Sequence, residues 1–129
     1  MMSSTPASIL IVEDEALIAM DLQALLEDAG YRVLGPANSP ATALALIDAE
    51  QPDLALLDVN LDGSDVFTVA NALATRKSLI IFLTGHTAQK LPEKHRHRTL
   101  VAKPYLPHML LQTIERVLQA SAPDRAAAS

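Results

Sequence analysis

The sequence predicts an α/β protein, a (βα)5 chain whose five strands form one parallel sheet doubly wound by helices. Three observations carry this. Short runs such as Ile9–Val12 and Leu79–Leu83 are apolar throughout, as strands covered on both faces must be. Longer stretches with apolar residues at three- and four-residue steps alternate with these runs. The links between them are short, and right-handed crossovers then place helices on both sides of the sheet.

Ile9–Val12 is the first strand. From Glu15 onward Leu17, Ile18, Leu22, Leu25, Leu26 and Ala29 recur at helical spacing, and Gly30 stands where the helix stops. Tyr31–Gly35 forms the second strand. Ser39 is the N-cap and Pro40 the first position of a helix over Ala41–Glu50. Leu54–Leu57 is a buried third strand that ends on Asp58. Gly63 and Ser64 mark a loop before a helix near Asp65–Thr75. Leu79–Leu83 is the fourth strand. His86–Arg98 has the weakest pattern, because Pro92 and a crowded basic run oppose a long regular helix. Leu100–Ala102 is the fifth strand, and Leu106–Ala120 a final helix carrying Met109, Leu110, Ile114, Val117 and Leu118.

With 129 residues, 50% of them hydrophobic, the chain is long enough to bury a core as one domain over residues 8–120. Residues 1–7 read as a disordered start, and residues 121–129, which lack a large apolar side chain, as a flexible tail. Cysteine is absent, which excludes disulfides, thiol chemistry and Cys-ligated zinc. The first eight residues lack the charged start of a secretory signal, and no apolar run approaches the ~20 residues that span a bilayer. A cytoplasmic protein is expected. The net charge of −5 argues against a general nucleic-acid binder.

In open parallel sheets, ligands bind beyond the carboxyl ends of the strands. Glu13, Asp14 and Glu15 follow the first strand, and Asp58, Val59 and Asn60 close the third. Thr84 and Gly85 follow the fourth strand, and Lys103 and Pro104 the fifth. Crowded carboxylates repel unless a cation compensates, and Mg²⁺ needs only one or two carboxylates, a carbonyl and waters. Set against a lysine and a hydroxyl, such a site suits a phosphoryl group, whose transfer depends on positioning and charge stabilisation. Asp58, which ends a buried strand, is the candidate nucleophile.

Glu13-Asp14, then Asp58 forty-four residues after Asp14, then Thr84 and Lys103-Pro104, resemble the bacterial two-component response-regulator receiver domain. The match spans about Ile9 to Gln119. It implies a flavodoxin-like sheet of order 2-1-3-4-5. It also implies Mg²⁺ held by Glu13, Asp14, Asp58 and the Asn60 backbone carbonyl, with Asp58 as phosphoacceptor. Thr84 would sense the phosphoryl group, Lys103 would bind it, and the Lys103–Pro104 bond would be cis. The implied donor is a sensor histidine kinase or a histidine phosphotransfer protein. With no output domain after the tail in this sequence, the expected output is onward phosphotransfer or a protein partner bound by the Thr84–Gln112 face.

Leu100 stands where the common receiver has Tyr or Phe, so the usual Thr–aromatic relay lacks its ring here. Phe82-Leu-Thr-Gly85 and Asp58-Val-Asn-Leu-Asp-Gly63 are instead similar to the receiver subgroup nicknamed FATGUY, and ordering of His86–Arg98 is a plausible alternative relay. Asp62 and Asp65 read as turn and N-cap residues rather than metal ligands. His86 reads either as an influence on dephosphorylation or as a solvated loop residue. His95 and His97 read as part of a basic solvated face, and Tyr105 as a docking residue or a ring buried on the last helix. Three other readings remain: a receiver that binds partners without phosphorylation, an aspartate-nucleophile phosphatase of the haloacid-dehalogenase type, and a flavin protein. Asn60 stands where the phosphatase wants its second acid, and no phosphate-cradling loop follows the first strand.

Overall fold

A computed structural model describes residues 5–59, 65–85 and 91–128, with side chains described as far as Ser121. The expected loop at Gly63 and Ser64, together with Asn60, Asp62 and His86, lies outside the described residues, as does the start of the segment expected to be disordered.

The strands are β1 (Ser8–Val12), β2 (Arg32–Ala37), β3 (Leu54–Asp58), β4 (Leu79–Thr84) and β5 (Thr99–Ala102). All pair in parallel, in the order β2-β1-β3-β4-β5. The helices are α1 (Ala16–Asp28), α2 (Pro40–Ala49), α3 (Val66–Thr75) and α4 (Pro107–Ala128). Between β4 and β5 the described residues hold a three-residue 3-10 turn, Glu93–His95, so the fourth crossover lacks an α-helix there. Pro92 and the adjacent cations are the physical reason.

Side chains alternate along each strand and build two cores. Leu10, Val12, Ala55, Leu57 and Phe82 meet Ile47 of α2 and Val69, Ala70 and Leu73 of α3. Ile9, Ile11, Leu56, Ile81 and Leu83 meet Leu22 and Leu26 of α1 and Leu110 and Ile114 of α4. The sheet is thus covered on both faces and the strand ends are left open.

The local signals act as their chemistry requires. Ser39 Oγ accepts from Thr42 N at 3.2 Å with Pro40 in the first turn, and Asp65 Oδ1 caps Phe67 N at 2.9 Å. Gly30, at φ +95°, ends α1, with Gly30 N donating to Glu27 O and Tyr31 N to Leu26 O, both at 3.0 Å.

Some elements depart from expectation. β2 continues two residues past Gly35, because Gly35 at φ +90° absorbs an irregularity in the pairing between Leu10 and Val12; the Gly35–Pro36 bond is cis. Glu13 N then donates to Ala37 O at 2.9 Å. The backbone of α4 runs on to Ala128, past the helix end expected at Ala120, where Ala122 and Ala126–Ala128 have the highest helix propensity. Leu17 of α1 and Met109 of α4, both counted on apolar faces, instead face solvent, being 77% and 52% exposed. No helix among the described residues is long and apolar enough to cross a membrane.

Candidate functional site

The carboxyl ends of β1, β3, β4 and β5 bring Glu13, Asp14, Asp58, Thr84 and Lys103 to one edge of the sheet. One oxygen from each of Glu13, Asp14 and Asp58 lies within 4.8 Å of the others. Glu13 and Asp58 are buried, whereas Asp14 is exposed at the rim. The β3–β4 register sets Asp58 beside Leu83, and Val59 N donates to Leu83 O at 2.8 Å.

Lys103 crosses the site. Its Nζ donates to Asp58 Oδ2 at 3.0 Å and to Glu13 Oε1 at 3.3 Å. The Lys103–Pro104 bond is cis. Lys103 N donates to Thr84 O at 2.7 Å, which ties the two strand ends together. Thr84 is buried, and its Oγ1 has no hydrogen-bond partner among the described residues. A buried hydroxyl in that state needs a partner to recover the cost of leaving water.

The electrostatics of these residues show too little positive charge. Burial raises the Glu13 carboxyl to about 7; the Glu15 amide opposes this, Asp58 adds to it, and Lys103 only partly offsets it. The hydrogen bond from Glu15 N to Glu13 Oε2 is 3.1 Å long. Burial pulls Lys103 down, but Asp58 and Glu13 outweigh it and hold the ammonium above its ordinary value. Among the described residues, one ammonium thus faces three carboxyl groups. A hard divalent cation fits that donor set, which offers converging oxygen ligands and excess negative charge.

A groove opens beside Asp58, between α1 and the start of α4, lined among others by Asp14, Ile18, Asp21, Lys103 and Tyr105. Tyr105 is half-buried against the α1/α4 core, and burial raises its phenol above the ordinary value. The groove was not legible in the sequence, because its lining comes from α1, the strand ends and the start of α4 together.

The structure thus brings five of the predicted site residues together and leaves Asn60 outside the described residues. It corrects the reading of His95. That residue is 1% exposed, not part of a solvated basic face, because it turns inward four residues after the buried Leu91. His97 is exposed, as expected.

Comparison with known proteins agrees with this geometry. The family model for the response regulator receiver domain matches residues 9–115. The transcriptional regulatory protein PdtaR of Mycobacterium tuberculosis is 33% identical over 117 residues, 88% of this chain and 57% of that protein. The phyllosphere-induced regulator PhyR of Methylorubrum extorquens is 38% identical over 114 residues, 85% of this chain and 43% of that protein. The chain thus spans about half the length of these curated relatives. Among solved structures, the response regulator PhyR from Brucella abortus superposes with a TM-score of 0.82 at 33% identity, covering 96% of this chain and 52% of that one. A CheY-like receiver domain protein from Methanospirillum hungatei gives 0.84 at 25% identity, covering 93% and 99%. The chain belongs to the response regulator receiver domain family.

Proposed function

We propose that Asp58 accepts a phosphoryl group from a phosphohistidine of a sensor histidine kinase or a histidine phosphotransfer protein. The observation that carries this reading is the contact of Lys103 Nζ with Asp58 Oδ2 at 3.0 Å, at the mouth of the sheet and inside a carboxylate cluster. An Asp58 carboxylate oxygen forms the new bond to phosphorus, while the P–N bond breaks and its electron pair returns to the donor imidazole.

This chain's residues divide the work. Glu13, Asp14, Asp58 and the Asn60 carbonyl would hold Mg²⁺, which supplies positive charge to the phosphoryl oxygens when bound. Lys103 orients the Asp58 carboxylate and neutralises one transferred oxygen. The buried Thr84 hydroxyl, without a partner among the described residues, donates a hydrogen bond to another. The acyl phosphate carries about −1.5 to −2 charges in place of the carboxylate's single one, so Lys103 is drawn from Glu13 towards it. Because Lys103 N is bonded to Thr84 O, that movement reaches both strand ends at once.

Output is by protein contact or onward transfer, in the cytoplasm. The downstream partner binds the Thr84–Gln112 side, where Leu100, Leu106 and Met109 are 41%, 58% and 52% exposed. The test is intact mass after acetyl phosphate and Mg²⁺, with Asp58→Ala as control. One phosphoryl mass gained by the wild type alone supports the reading. No gain in the wild type, with no shift of amides near Thr84 on adding beryllofluoride, favours a receiver that works without phosphorylation.

A further inference from the structure

We propose that His95 is a protonation-sensitive latch, whose neutral imidazole holds residues 91–98, the segment leading into β5, against α3 and β4 and whose protonation releases them. The imidazole lies 1% exposed among Phe67, Phe82 and Asn71. Its centroid is 6.3 Å from Phe67, stacked at 21°, and 5.8 Å from Phe82, edge-on at 71°. The Phe67 and Phe82 rings are themselves 5.7 Å apart, so the three rings form one cluster across α3, β4 and the segment.

The hydrogen bonds fix the tautomer. His95 Nε2 lies 2.8 Å from Asn71 Oδ1, an acceptor, so Nε2 carries the proton. Nδ1 is buried and has no partner among the described residues. A second proton must therefore go onto Nδ1, into an apolar pocket with no acceptor among those residues, where a charge is costly. The stack on Phe67 lies beyond the ~6 Å at which cation–π attraction counts, while Phe82, at 5.8 Å, lies just inside it and offsets part of that cost.

The charged neighbours oppose protonation as well. Neither α3 nor β4 carries an ionisable side chain, and among the described residues the charged groups that act on the ring are Arg98, Lys94 and His97 of its own segment. Desolvation first, then these three, lower the His95 value from the ordinary 6.5. The open segment binds a proton that the closed one refuses, so acid favours opening.

Among the described residues, few other contacts hold this segment. Leu91 is its other buried residue in the core, and Arg96 Nε donates to Leu91 O at 3.3 Å within the segment. The latch bears on the phosphoryl site through β4, where alternation puts Phe82 and Thr84 on the same face. That bearing rests on the function proposed above; the latch does not.

Amide hydrogen exchange on the full chain between pH 7.5 and 5.5, corrected for intrinsic rates, reads the latch directly. The amides of His95 and Arg98, bonded to Pro92 O and His95 O, report opening. Their opening constant should rise up to about tenfold over this range, while Leu56 and Leu57 of β3 stay closed. His95→Phe keeps a ring in the pocket and should abolish the rise, and His97→Asn should preserve it. A rise equal in β3, or one retained in His95→Phe, overturns the proposal. So does an imidazole titration in the wild type that places His95 at its ordinary value with the segment still closed, a readout that needs no variant.

Discussion

Glu13→Gln tests the electrostatics of the site without any need for phosphorylation. Burial raises the wild-type carboxyl from 4.5 to about 7, so between these values the folded chain holds a proton that the unfolded chain releases. A raised acid value means stability present at low pH and lost as pH rises through that window. The shift corresponds to about 3 kcal/mol lost between pH ~4.5 and ~7. Glutamine keeps the shape, can donate to Asp58 and does not ionise. The variant should therefore equal the wild type near pH 4.5 and exceed it by up to about 3 kcal/mol at pH 8.

The assay is urea unfolding at pH 5 and pH 8, with and without Mg²⁺. Taking the difference between the two proteins cancels the titration of every group that does not interact with Glu13, which leaves Asp58 and Lys103 in the comparison. Mg²⁺ should narrow the gap at pH 8, because it stabilises the ionised carboxylates: at ten times its dissociation constant the wild type gains about 1.4 kcal/mol. A pH slope identical in Glu13→Gln and wild type would refute the reasoning, since burial of an ionising Glu13 would then cost nothing. A Mg²⁺ effect undiminished in the variant would remove Glu13 from the metal site.

Three further outcomes are expected. Lys103→Met leaves Glu13 and Asp58 without their ammonium and should cost about 3 kcal/mol at pH 8, recovering towards pH 5 as Glu13 protonates, again read by urea unfolding. Gly35→Ala should cost about 2–3 kcal/mol, because φ is +90° and a Cβ would meet Ala37 N at 2.7 Å; Gly30→Ala, with open space and φ +95°, should cost about 1 kcal/mol in thermal unfolding. Phe82→Ala opens the aromatic cluster and should cost about 3–5 kcal/mol, with faster exchange at the His95 amide than His95→Phe produces.

The fold was legible because local chemistry and global layout agree here. Each strand is short and apolar, and polar residues stand directly after Val12, Leu57, Leu83 and Ala102, so the chemistry is written at the strand ends. Ser39, Asp65 and Gly30 announce their helix ends through side-chain and backbone bonds only a few residues away. Periodicity could not show that Leu17 and Met109 face solvent, because the edges of an apolar stripe are set by which partner covers it. It could not show that His95 is buried either. Lys94, Arg96 and Arg98 surround it in sequence, and the groups that draw it inward, Phe67, Asn71 and Phe82, come from other elements.

If Asp58 accepts a phosphoryl group as proposed, where the signal goes next depends on which face of β4 is free to move. In the common receiver an aromatic three residues before the lysine would follow Thr84, but Leu100 is there, 41% exposed on the edge strand. Its side chain has no ring to turn and fills no buried space that a moving Thr84 could vacate. The aromatic mass lies instead on Phe82, two residues before Thr84 on the same strand face, and on the His95 ring packed against it. Any shift of Thr84 towards a phosphoryl oxygen must either leave Phe82 in place or disturb the contact that anchors the segment. Packed rings yield discretely rather than gradually. The relay that suits these residues is therefore docking and undocking of residues 91–98, with Phe82 as its fixed seat.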